Sequence, residues 1–144
     1  AAMSQVFRAP VDLKLVNALS RNTLIDHLGI VFTAAGDDWL QATMPVDART
    51  KQPYGLLHGG ASVVLAETLG SSAGNLCVDP TQQVCVGLEI NANHLRAARS
   101  GVVTGTARAL HVGRTTQVWE IRIEDEAGKP VCVSRLTLAV VAVG

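Results

Sequence analysis

Between Pro53 and Ser72 the sequence reads PYGLLHGGASVVLAETLGSS, and Glu67 is the one Asp, Glu, Lys or Arg within it. The part from about Gly60 to Leu76 has helical length and spacing. It is apolar or small all round, so water suits no broad face of it. A chain of 144 residues that contains such a helix must wrap it with the rest of its length. At 100° per residue, Leu65, Leu69 and Leu76 fall on one side, flanked by Ala66 and Ala73. Gly60, Val63, Val64, Glu67, Gly70, Ser71 and Gly74 fall on the other. The leucine side is expected to pack on a sheet. Glycine inside a helix costs roughly 1 kcal/mol relative to alanine, so something is expected to approach the small side closely.

The covering surface is legible as strands. GIVFTAAG from Gly29 and DWLQATMPVD form a pair, with Leu40, Ala42, Met44 and Val46 alternating with Trp39, Gln41 and Thr43, and Gly36 and Asp37 turning between them. After a loop at 47–58 and the helix come four more segments, 83–95, 101–111, 115–125 and 130–141. Trp119, Ile121 and Ile123 alternate with Glu120, Arg122 and Glu124 in the third. HVGRT and DEAGKP supply turns between successive segments. The expectation is an α+β fold: one antiparallel meander of five to six strands wrapped on one long central helix. A shorter helix is expected at about 11–20, with Asp12 in its first turn.

Residues 1–144 read as a single domain, with Ala1 and Ala2 before Met3 taken as a cloning scar. Twelve basic and twelve acidic residues cancel, so no overall field gathers nucleic acid or a membrane surface. No run of 18 apolar residues or signal-like leader stands out, and a soluble cytoplasmic protein is expected. Cys77, Cys85 and Cys132 lack the spacing of a zinc site or a disulfide framework and read as core residues.

Glu67 admits two structural readings, a solvated carboxylate at a gap in the packing or a buried acid paired with an arginine. Against them stands the cost of an unpaired carboxylate out of water, which favours a working group. The helix starts after HGG, and its first amides lack helical partners. The Gly59 and Gly60 region therefore has the form of an oxyanion hole, or else of a flexible turn. Seven residues at 1.5 Å each set Glu67 about 10 Å from those amides, too far to serve one carbonyl within a chain. Two subunits with these faces antiparallel would bring Glu67 of one beside Gly59 of the other, giving two shared sites. Ser62 does not sit in a nucleophile elbow, and His27, His58, His94 and His111 have no metal-ligand spacing, so no metal is expected.

QPYGLLHGGASVVLAETLGSSAG followed by VGLEINANHLRAAR resembles the hotdog-fold acyl-CoA thioesterases, over about Gly29 to Val141. The similar branch acts on aromatic substrates of the hydroxybenzoyl or dihydroxynaphthoyl type. The resemblance implies the wrapped-helix fold already expected, subunits that pair, and dimers that associate into homotetramers. It implies Glu67 as nucleophile or general base, the Gly59 amide as the group polarising the thioester carbonyl, and His58 and Gln52 as orienting side chains. Ser71, with Val63, would line the acyl pocket. Gly87, His94, Leu95, Arg96 and Ala97, together with His111, Val112, Gly113, Arg114, Thr115 and Thr116, would meet coenzyme A. Its phosphates would fall to Arg96, Arg114 and the Gly113 amide, although both arginines also read as solvated strand-end charges. Coenzyme A is then part of the substrate, no separate cofactor is expected, and an acyl group on a carrier protein is an alternative donor. A hotdog hydratase or dehydratase, or a catalytically silent acyl-CoA-binding dimer, would share these features.

Overall fold

The structure, a computed structural model, describes residues 4–144; the Ala1–Ala2 reading lies outside them. Asp12 caps helix α1 (Leu13–Leu19) by accepting from the Leu15 amide at 3.1 Å, so the first helix is shorter than the expected 11–20. A second helix, α2 (Leu24–His27), follows under a Thr23 cap. Four residues leave no period to read, which is why the sequence pattern did not reveal it.

Six strands form one antiparallel sheet: β1 (Val31–Ala35), β2 (Trp39–Pro45), β3 (Gln83–His94), β4 (Val102–Val112), β5 (Thr116–Glu124) and β6 (Pro130–Ala142). Their spatial order is β1-β2-β4-β5-β6-β3. The expected meander therefore holds only for β4-β5-β6, and β3 lies at the far edge beside β6. The long helix α3 (Gly59–Asn75), which joins β2 to β3, packs across β2 to β6 and delivers the chain to that edge. β4 then takes the place beside β2, with Trp39 opposite Arg108 and Pro45 opposite Val102.

The alternation expected of β2 and β5 points the same residues inward. Leu40, Ala42, Met44, Trp119, Ile121 and Ile123 all have no exposed surface, while Arg122 and Glu124 face water. The Trp119 indole stacks on Phe7 at 6.2 Å and donates through Nε1 to Gln117 Oε1 at 2.8 Å, which satisfies its N–H in the core. Both sheet edges are clipped by an asparagine. Asn17 accepts from the Phe32 amide and donates to its carbonyl, each at 2.9 Å, and Asn75 does the same for Cys85 at 2.9 and 3.3 Å.

Against this sheet α3 presents Leu65, Ala66, Leu69 and Ala73, all fully buried. The buried arc also takes in Gly70 and Gly74, which the helical wheel had assigned to the Glu67 side. A Cβ on Gly70 would stand 2.6 Å from Leu136 Cδ2, and one on Gly74 would stand 2.4 Å from Leu138 Cδ1. The close approach is thus made by β6 side chains: the arc facing the sheet centres near Ala73, with leucines on one flank and glycines on the other. Val63, Val64, Glu67, Thr68 and Ser71 are only half-buried, because the sheet covers one side of the helix and this chain leaves the other partly open.

Candidate active site

His58 is the N-cap of α3, and its own amide donates to the Thr50 carbonyl at 2.8 Å. Its Nδ1 accepts from the Gly60 amide at 2.8 Å. With Nδ1 accepting, Nε2 is left as the ring's donor nitrogen. The same bond divides the two glycines: the Gly60 amide is satisfied, whereas the Gly59 amide makes no hydrogen bond among the described residues. The candidate oxyanion hole therefore narrows to Gly59, at the positive end of a 17-residue helix.

A cleft of about 360 Å³ opens at this end, lined by Gln52, Leu56, Leu57, Gly59, Ser62, His94, Leu95, Arg96, Ala97 and Val131. Gln52 Oε1 accepts from the Tyr54 amide, which leaves its NH₂ as a free donor. The His94 ring, at the end of β3, lies over Gly59, and a Cβ there would meet its Nε2 at 3.0 Å. The structure thus gathers Gln52, His58, Gly59, His94, Leu95, Arg96 and Ala97 around one helix end. Ser62, a residue that no local motif singles out, also lines this cleft one turn from Gly59.

Glu67 stands two turns further along α3. Its Oε2 would be 2.6 Å from a Cβ on Gly87, so a side chain at that point of β3 would push the carboxylate out of its present position. The register shifts by one residue immediately after Gly87, where β3 bulges against β6. Glu67 makes no ion pair or hydrogen bond among the described residues, so the arginine-paired reading does not describe this chain. It lines a separate hollow of about 340 Å³ with Leu24 and Ile25 of α2 and Val64, Thr68, Ser71 and Ser72 of α3. Ser71 is thus beside the carboxylate as expected, while Val64 takes the wall position foreseen for Val63, and α2 supplies apolar residues that the pattern did not flag.

The segment His111–Thr116 lies elsewhere. It turns between β4 and β5, whereas His94 pairs with Cys132 beside the opposite end of β5. Ile123 faces Cys132, so the two segments are separated by roughly 24 Å of strand within one chain. Arg114 and Thr115 are exposed, but the Gly113 amide donates to the Thr116 carbonyl at 2.9 Å and is not available to a phosphate. Its expected role fails because the turn uses that amide to close itself.

The cysteines stay out of the chemistry. Burial pushes Cys77 up to about 12, with Cys85 nearby adding to it, and burial also raises Cys85 and Cys132, so none is a ready thiolate. No helix among the described residues is long and apolar enough to cross a membrane.

A long helix held against a six-stranded antiparallel sheet is the architecture of the hotdog-fold thioesterases. Residues 54–132 match the thioesterase superfamily, and the chain belongs to it as a thioester hydrolase. It is 55% identical over 135 residues to the 1,4-dihydroxy-2-naphthoyl-CoA hydrolase of Escherichia coli, covering 94% of this chain and 98% of that one. It is 54% identical to the proofreading thioesterase EntH of Cronobacter sakazakii, with the same coverage. The crystal structure of a mutant thioesterase from Pseudomonas aeruginosa superposes with a TM-score of 0.95 at 59% identity, covering 96% of this chain and 99% of that one.

Proposed function

We propose that this protein hydrolyses aromatic acyl-CoA, of the hydroxybenzoyl or dihydroxynaphthoyl type, to the free acid and coenzyme A. The observation that carries this reading is the pairing of the free Gly59 amide with the unpartnered Glu67 carboxylate on one helix. The likeness to a dihydroxynaphthoyl-CoA hydrolase supports the aromatic acyl group. Glu67 either attacks the carbonyl carbon itself or takes a proton from the water that does. In both routes electrons move onto the carbonyl oxygen, where the Gly59 amide receives the developing charge. Collapse then breaks the C–S bond. A thiol has a pKa of about 8.5, so the thiolate leaves without a strong acid to protonate it. In the first route water opens the resulting anhydride and regenerates Glu67. His58 Nε2–H and the Gln52 amide orient the thioester.

The Gly59 amide and Glu67, eight residues apart, stand about 12 Å apart along α3, which favours a homodimer in which each Glu67 serves the partner's Gly59, with dimers paired into a homotetramer. The roughly 24 Å between the His94–Ala97 and His111–Thr116 segments favours the same arrangement, because coenzyme A can meet both only if they come from different subunits. Arg96 and Arg114 then hold its phosphates. The reaction runs in the cytoplasm, with carrier-protein thioesters as the alternative donor.

Thiol release from 4-hydroxybenzoyl-CoA, followed for the wild type and Glu67→Gln, tests the assignment. A loss of about 10² to 10⁴ in kcat is expected for a group that moves a proton or makes a bond in the reaction. Unchanged hydrolysis by Glu67→Gln overturns the role of Glu67, and a folded, fully active monomer overturns the shared site. A screen of aryl against aliphatic acyl-CoA, ranked by kcat/KM, tests the acyl class.

A further inference from the structure

Ser62 is 1% exposed, yet it lines the cleft that opens over Gly59. Its hydroxyl has no hydrogen-bond partner among the described residues, although its backbone amide is satisfied by the His58 carbonyl at 3.2 Å. The hydroxyl is not sealed in the core, since Ser134 Oγ alone is buried without a partner among the described residues; it opens onto the cleft, so the occupant of the cleft is the group that can bond it. Its direction is suited to that. Side chains on a helix lean toward the N-terminus, and Ser62 follows Gly59 by three residues, so its oxygen is carried back over the turn whose amide is free.

We infer that the Ser62 hydroxyl is a second oxyanion donor, a catalytic residue that binds the thioester oxygen together with the Gly59 amide. The inference rests on the proposed hydrolysis at the start of α3. As the carbonyl carbon is attacked, the C=O electron pair moves onto oxygen, and Ser62 donates its O–H to that oxygen while keeping its proton. The pair returns when the C–S bond breaks and the thiolate departs. Ser62 is therefore neither nucleophile nor base. The remaining groups at this end suit the same event: the His58 Nδ1 bond to Gly60 keeps that amide out of competition, and the His94 ring covers Gly59 from the β3 side.

Two measurements on Ser62→Ala test this. The first is turnover of 4-hydroxybenzoyl-CoA, for which losing one such donor lowers kcat by about 10² to 10³. KM should change by less than about threefold, because the bond is weak to the ground-state carbonyl and strengthens as charge develops. The thermal midpoint should hold or rise. The second is the infrared carbonyl stretch of the same thioester bound to Glu67→Gln, which should move to higher frequency when Ser62→Ala is added. A kcat within twofold of wild type, or an unmoved carbonyl band, overturns the inference and leaves the hydroxyl as a partner of water alone. A fall in kcat matched by a fall in the midpoint also overturns it, in favour of a packing role. The roles separate cleanly: full activity in Glu67→Gln with loss in Ser62→Ala would remove the carboxylate and keep the donor, and the reverse would remove the donor and keep the carboxylate.

Discussion

Replacing Gly74 with alanine sets two known effects against each other. Alanine in a helix interior gains about 1 kcal/mol over glycine. Here, however, the new Cβ would stand 2.4 Å from Leu138 Cδ1 and 2.7 Å from Gln117 Oε1, where ordinary contact needs about 3.4 Å or more. Leu138 has no exposed surface and Gln117 only 1%, so neither has open space to move into. Overpacking of this kind costs about 1–3 kcal/mol. A shift of Gln117 also threatens its bond from Trp119 Nε1, and a buried indole N–H left unpaired costs about 1–3 kcal/mol more. Packing wins, with a net loss of about 2 kcal/mol.

The unfolding entropy of a chain of this length is about 0.3 kcal/mol/K, so that loss lowers the midpoint by about 7 °C. Calorimetry and urea titration at one fixed protein concentration measure it, since self-association by itself shifts a midpoint. Ser72→Ala, on the half-buried outer side of the same helix, is the control and should be neutral or gain a few tenths of a kcal/mol. A Gly74→Ala midpoint at or above the wild type refutes the reasoning, because it would mean that helix propensity outweighs the close approach of β6.

Gly87→Ala places a Cβ 2.6 Å from Glu67 Oε2 on an exposed strand residue, so kcat should fall by about 10- to 100-fold while the midpoint moves by less than about 2 °C. Unchanged turnover in a steady-state assay would show that the carboxylate can move aside freely. Ser134→Ala removes a buried hydroxyl with no partner and should raise stability by about 1 kcal/mol in urea titration, and a clear loss would show that the hydroxyl is satisfied in solution. The three thiols should alkylate far more slowly at pH 8 in the native protein than in urea, as mass spectrometry would show. Their raised values also set a pH trend. The contribution of Cys77 is fully present below the unfolded value of 9.0 and is lost as pH rises toward about 12, because only the unfolded thiol ionises readily in that window. Stability that rises through that window would contradict the burial.

Local pattern made β2 and β5 legible, because a two-residue period leaves only one way to bury Leu40, Ala42 and Met44, or Trp119, Ile121 and Ile123. It did not reveal the partner of β3. Its Val84, Val86 and Leu88 suit a covered strand as well as an edge, and all three are exposed in this chain. What decides is the path of α3 across the sheet, a property of the whole chain. The same limit explains the glycines. A helical wheel sorts residues by angle, but Gly70 and Gly74 are buried because Leu136 and Leu138 reach toward them from β6, and no local periodicity encodes a strand so far along the chain.

The candidate site divides along the same line. The spacing of Gly59 and Glu67 follows from helix rise and needs no tertiary knowledge. Which amides are free does need it: Gly60 is spent on the His58 ring and Gly113 on the Thr116 carbonyl, although sequence alone makes all three glycines equal candidates. The consequence reaches the chemistry. If both helical amides were free, the donors for an oxyanion would be backbone alone and Ser62 would be dispensable. With one amide taken by its own cap, a second donor comes from a side chain; the Gln52 NH₂ and His58 Nε2–H are such donors, and Ser62 adds the hydroxyl one turn from Gly59 that lines the cleft without a partner.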